Sequence, residues 1–278
     1  MPRFMIRSDI EGITGVVSYE QAEPEKPEYD FGRRMFMSDL MALVEGLNEG
    51  GADEIVIYDE HYYGRNIDIA QLPSNVTAIC GKPPYSPGWS GGLDSSFKGL
   101  ILLGFHSKSG TVGGLLNHSY ELDIKDLRLN GTSVGEIGME AAIAGDHDLP
   151  VLMITADSAG VAEAEKLLPG IAGVTVKESL SETGGLCYSA SRTSDMIRRT
   201  AEQIASRIPA VKPLNFGTSV KLVIELNAGE YLCEFRRLFK NEMCKRNTIE
   251  IRGSSATEVW AKYWKMKLEC QNSMKDNG

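Results

Sequence analysis

The chain reads as an α/β protein: a mainly parallel sheet flanked by helices, with a smaller C-terminal α+β segment. Three observations predict this class. The runs Glu54 to Tyr58 and Gly99 to Phe105 are short and nearly continuously apolar, as in strands buried on both faces of a parallel sheet. Between Phe4–Ile6 and the first of them lies a helical pattern, with Phe36, Leu40, Leu43, Val44 and Leu47 at three- and four-residue spacing. A strand–helix–strand unit implies a parallel pair with a right-handed crossover. Composition then shifts near Pro213, so residues 1–212 read as one α/β domain and 213–278 as a smaller segment packed on it.

Element by element, Phe4 to Ile6 is a first strand that ends before Asp9. The helix through Phe36 to Leu47 is stopped by Gly50-Gly51. The strand at Glu54–Tyr58 runs into Asp59 and His61, and the strand at Gly99–Phe105 into His106. Residues 82–98, rich in proline and glycine, form an irregular loop of a length usually tied to function. Gly135 to Gly145 is helical, Val151 to Thr155 a strand, Ala162 to Leu168 a helix and Gly173 to Val176 a strand. Ser189 to Ile208 is a long amphipathic helix, broken by Val211-Lys212-Pro213. Beyond it come the strand Val220 to Leu226, a helix over Glu230 to Phe239, the strand Thr248 to Ile251 and a final helix, Ser255 to Leu268.

The composition excludes several classes of function. The 278 residues are 42% hydrophobic and 24% charged with net charge −9, and no basic face forms, which argues against nucleic acid. No apolar run is long enough for a membrane span. Five scattered cysteines without a CxxC pair, and no signal-peptide pattern, read as reduced thiols in a cytoplasmic protein.

Three strands thus end in metal-ligand types: Asp9 with Glu11, His61, and His106. Ligands of open α/β sheets bind beyond the carboxyl ends of the strands, where parallel neighbours bring distant residues together. Taken singly, each is more often a solvated turn acid or a packed histidine. Jointly they favour a site, because two of only four histidines close buried-looking strands and a third, His118, follows in the next loop. His147, in a polar turn, reads as a surface residue. Mixed carboxylate and imidazole ligands suit zinc or a related first-row metal better than calcium.

The motifs "SDIEGITG" (Ser8–Gly15), "YDEH" (Tyr58–His61), "GFHS" (Gly104–Ser107), "NHS" (Asn117–Ser119), "GEIGMEAAIAG" (Gly135–Gly145) and "PVLMITAD" (Pro150–Asp157) resemble, in order and spacing, those of the binuclear-zinc D-aminopeptidase family. The resemblance covers the chain up to its C-terminal third, which matches mainly in its pattern of elements. It implies Asp9, Glu11, His61, His106 and Glu136 as ligands of two Zn2+ per subunit, with Asp9 bridging. It implies His118 as the catalytic histidine, nucleophile or base, and a homodecamer of two stacked five-membered rings with active sites facing an internal channel. Five ligands with one bridge supply three positions per metal and leave each ion open, as catalysis requires. His118 then suits acid/base work rather than covalent attack.

Departures from the family pattern cluster near the site. Tyr58-Asp59-Glu60-His61 stands where Asn-Asp-Ser-His is usual, Asn117 where Ser is common, and Glu140 where Asn is frequent; the loop from Ser107 to Asn117 is slightly long. Glu60 and Glu140 read as solvated acids in preference to groups that bind a substrate ammonium. The expected function is a cytoplasmic zinc-dependent aminopeptidase acting on short peptides, including those with D residues. The alternatives are a binuclear-metal hydrolase of a cyclic amide, lactone or phosphoester, and a non-catalytic peptide-binding protein.

Overall fold

The computed structural model describes residues 2–83 and 89–276 of the chain. Part of the irregular stretch expected over 82–98 therefore lies outside the described residues, and residues 89–98 run without helix or strand.

The chain opens with β1 (Arg3–Ser8), a one-turn α1 (Tyr19–Ala22), the long α2 (Tyr29–Glu49), β2 (Glu54–Asp59), β3 (Val76–Ile79) and β4 (Gly99–Phe105). Next come β5 (Ile124–Leu129), β6 (Thr132–Val134), α3 (Glu136–Gly145), β7 (Val151–Asp157), α4 (Ser158–Leu167), β8 (Ala172–Ser181), β9 (Gly184–Cys187) and α5 (Ala190–Ser206). The last part holds β10 (Val220–Leu226), α6 (Glu230–Leu238), β11 (Met243–Lys245), β12 (Thr248–Gly253) and α7 (Ala256–Asp276).

Seven strands form one sheet in the order β3-β2-β1-β4-β7-β8-β9, parallel except for the last pair. The continuous apolar runs are explained by burial on both faces. Phe4, Ile6, Ile55, Ile57, Ile101 and Leu103 face the core beneath α2 and α5. Their neighbours Met5, Val56, Leu100 and Leu102 face a second core. The chain leaves β1 toward β2 and β3, then returns to its other side as β4. The direction of winding thus reverses between β1 and β4, the crevice where open sheets place their sites.

The second core lies against a five-stranded antiparallel sheet, β11-β12-β10-β5-β6. Two of its strands, β5 and β6, come from mid-chain, so residues 124–134 join the sheet of the C-terminal segment. These strands are absent from the sequence reading. In β5 the buried Ile124, Leu127 and Leu129 are interrupted by Lys125, Asp126 and Arg128, a pattern of one wet face. Helix α3 lies between the layers, touching β4, β6 and α7, and all ten of its residues are buried. That explains its small, apolar composition.

Candidate metal centre

Asp9 and Glu11 follow β1 on a loop drawn tightly against β4. The Asp9 N–H donates to the Leu103 carbonyl at 2.9 Å and the Gly12 N–H to the Gly104 carbonyl at 2.7 Å. Gly104 has φ +72°, and a Cβ there would lie 2.2 Å from the Asp9 carbonyl oxygen. Only glycine lets the two strand ends approach this closely.

Each histidine has its tautomer selected by a backbone carbonyl. The Nε2–H of His61 donates to Ala22 at 2.8 Å, which turns Nδ1 toward Asp9 Oδ1 at 2.8 Å and Glu11 Oε2 at 3.2 Å. The Nδ1–H of His106 donates to the Ser107 carbonyl at 3.0 Å, leaving Nε2 facing Asp9 Oδ2 at 3.4 Å and Glu136 Oε1 at 3.2 Å. The Nδ1–H of His118 donates to the Leu116 carbonyl at 3.0 Å, and its Nε2 lies 3.7 Å from Glu136 Oε1. The His118 ring stacks on His106, with centroids 4.1 Å apart.

The ligand atoms of Asp9, Glu11 and His61 lie within 4.8 Å of one another, and so do those of His106, His118 and Glu136. Asp9 reaches both groups, one oxygen toward each. All six side chains named in the sequence reading therefore converge, and Asp9, Glu11, His61, His106 and Glu136 are each less than a tenth exposed. Asp9 Oδ2, Glu11 Oε2 and His106 Nε2 are buried and make no hydrogen bond, although Asp9 Oδ2 lies 3.4 Å from His106 Nε2 and Glu11 Oε2 3.2 Å from His61 Nδ1. Buried polar atoms without partners are costly. Converging lone pairs without donor–acceptor geometry fit ligands arranged around a common cation, and the mixed N/O donor set suits zinc.

The electrostatics point the same way. Burial alone would raise the Asp9 pKa, yet the His106 and His61 rings beside it, as imidazolium, would hold it well below the usual carboxylate range. Burial would likewise lower the His61 and His106 pKa values. The charge of Glu11 on the first and of Glu136 on the second, with help from Asp9, pushes both well above normal. The carboxylates demand positive charge, as a proton or as a metal ion.

Glu60 and Glu140 overturn the expectation of solvated acids. Glu140 is 2% exposed; it pairs with the buried Arg7 and accepts from the Tyr120 hydroxyl at 2.5 Å. Glu60 lies 3.2 Å from the same guanidinium, and burial pushes its pKa up to about 7. One arginine inside the first strand holds both acids. The sequence reading also passed over Tyr120, whose backbone N–H donates to Glu136 Oε1 at 2.6 Å. Leu116 and Tyr120, on either side of His118, have φ of 51° and 60°. Such conformations cluster where a surrounding structure holds a functional loop. The only available signal was a charged residue inside an apolar strand, "MIRS" for Arg7.

The centre opens into a cavity of about 710 Å3, lined by His61, His118, Tyr62 and Glu121 and by Tyr231 and Trp264 of the C-terminal segment. Buried carboxylates and imidazoles that could hold a metal, at the reversal point of a parallel sheet with a cavity beside them, match the type of site used by metal-dependent hydrolases. The family model described as D-aminopeptidase, peptidase family M55, matches residues 3–264. The chain belongs to this family of peptide-bond hydrolases. It is 28% identical over 245 residues to a D-aminopeptidase of Bacillus subtilis (strain 168), covering 87% of this chain and 88% of that protein. The solved structure of the Zn-dependent D-aminopeptidase DppA from Bacillus subtilis, described as a self-compartmentalizing protease, superposes with a TM-score of 0.88. That match has 26% identity over 97% of this chain and 98% of that one.

Proposed function

We propose that the chain is a cytoplasmic aminopeptidase that holds two zinc ions and releases the N-terminal residue of short peptides, including those with D residues. Asp9 is the observation that carries this reading: its two oxygens face two separate groups of ligand atoms. In it, Glu11 and His61 would hold one ion, His106 and Glu136 the other, and Asp9 would contribute to both. When bound, zinc supplies Lewis acidity that polarises the scissile carbonyl and eases deprotonation of water.

The protein's own part is positioning and proton transfer. With Nδ1–H committed to Leu116, His118 offers a free Nε2 on the cavity wall. That nitrogen takes a proton from the attacking water and returns it to the departing amine. Its ring is held by stacking on His106. A cavity of about 710 Å3 suits a short peptide.

The assembly we infer is the decamer of two pentameric rings, consistent with the self-compartmentalizing description of the relative. Residues 1–212 would form the catalytic domain and 213–278 contribute to oligomerisation. Among the described residues no helix is long and apolar enough to cross a membrane.

The test is metal analysis followed by turnover of D- and L-aminoacyl amides and dipeptides. We expect about two zinc ions per chain and peptide hydrolysis that chelator abolishes and zinc restores. Turnover of lactones or phosphoesters with peptides untouched would overturn the substrate assignment. Folded protein that takes up no zinc would overturn the site.

A further inference from the structure

We infer that Lys177 is a positioning residue of the metal centre, an internal ammonium around which the loop carrying Glu11 is coiled. The inference rests on the ligand assignment above. Lys177 lies on β8, paired with Asp157 of β7, and is fully buried. Its Nζ donates to the carbonyls of Glu11 at 2.6 Å, Ile13 at 2.8 Å and Val16 at 2.5 Å. An ammonium has three donors. Here all three go to six consecutive residues of one loop.

The chemistry of this contact is unusual for a buried lysine, which is ordinarily neutralised by a carboxylate. Among the described residues no carboxylate oxygen lies within ion-pair distance of Lys177. The Asp157 carboxylate serves the Gly160 N–H and the Ser179 hydroxyl instead. Asp39 takes the Thr14 N–H at 2.9 Å and the Thr14 hydroxyl at 3.0 Å. The loop is therefore gripped from two sides: a cation gathers its carbonyls and an anion gathers the donors of Thr14. Three outward carbonyls do not converge without a cation or several donors at their focus. Lys177 supplies that focus, and one of its acceptors belongs to the ligand Glu11 itself. The side chain of Glu11 thereby leaves a backbone with little freedom to turn away.

A role in packing alone would affect stability and leave metal affinity unchanged, which makes the two separable. Zinc affinity of the full chain is measured by chelator competition in wild type, Lys177→Met, Lys177→Gln and Val176→Ala. The last is a buried neighbour on the same strand, in the core that also holds Ile13 and Val16, and it reports a loss of packing without loss of a hydrogen bond to the loop. We expect zinc affinity to fall 10- to 100-fold in the two Lys177 variants, the range for groups that orient ligands, and by less than about 3-fold in Val176→Ala. The absorption spectrum of the cobalt-substituted protein should change in the Lys177 variants and not in Val176→Ala. In Lys177→Ala, methylammonium should recover part of the affinity and tetramethylammonium, which has no donor, none.

Equal affinity in wild type and Lys177→Gln, or a loss of the same size in Val176→Ala, would overturn the inference. Should Lys177→Met not fold, Lys177→Gln and the methylammonium experiment decide alone. A wild-type protein that binds neither zinc nor cobalt overturns the ligand assignment first, an outcome distinct from a Lys177 variant that binds like wild type.

Discussion

The two halves of the centre are built differently. Asp9, Glu11 and His61 stand at the ends of adjacent parallel strands, and the loop of Asp9 and Glu11 is anchored from below by Lys177 and Asp39. Of His106, His118 and Glu136, only His106 closes a strand. Glu136 begins a helix, and His118 rides a loop with left-handed residues on both sides. That loop leans on the C-terminal segment, with the Tyr120 ring 4.4 Å from Trp260 of α7. The first half belongs to the parallel sheet. The second is assembled by packing between layers, and it contains His118, the histidine proposed above to exchange protons.

The sharpest way to break this comparison is Asp9, the one side chain shared by both halves. Asp9→Ala should remove metal from both groups and reduce kcat/KM by more than about 10^4-fold, beyond the loss of a single acid/base group. Retention of half the metal would mean that the halves are independent. His118→Ala should lower kcat by about 10^2- to 10^4-fold while metal content stays at the wild-type level. Since His118 also lies within ligand distance of His106 and Glu136, a drop in bound metal would instead make it a ligand.

Asp39 tests the anchoring of the first half through pH. Burial is the main cause of its pKa rising from 3.8 to about 6, so the folded state holds this proton more tightly than the unfolded chain. Its contribution is therefore favourable below pH 4 and is lost as pH rises to about 6, by about 3 kcal/mol in all. Asp39→Asn cannot titrate, so denaturation should show its stability gaining on wild type by up to that amount between pH 4 and 7. A difference independent of pH would place the carboxyl in an ordinary environment. Smallest is Tyr120→Phe, which removes the hydroxyl bond to Glu140 and leaves the backbone contact with Glu136. We expect kcat/KM to fall about 10-fold with metal retained, the lower end for a group that orients ligands.

Much of this was legible in the sequence because parallel strands advertise themselves. Burial on both faces makes "EIVIY" and "GLILLGF" unbroken apolar runs, and the residues that follow them must sit at one edge of the sheet. Asp9, His61 and His106 were found by that logic alone, and Glu136 and His118 by the order of family motifs. The antiparallel strands β5 and β6 were missed because a strand with one wet face, carrying Lys125 and Arg128, has no continuous run to detect. Glu60 and Glu140 were misread because a carboxylate in a sequence is by default a solvated one.

By itself, the sequence determined the α/β class, the buried strands of the parallel sheet and the candidate ligands that follow them, since periodicity and residue type are local properties. Tertiary structure alone decided which charges are buried together. Arg7 meets the carboxylate of Glu140 across 133 positions, and Lys177 meets the backbone carbonyl of Glu11 across 166. No local pattern records such a pairing, because it arises only when separate strands and helices close on the same low-dielectric space, where a charge must find its partner.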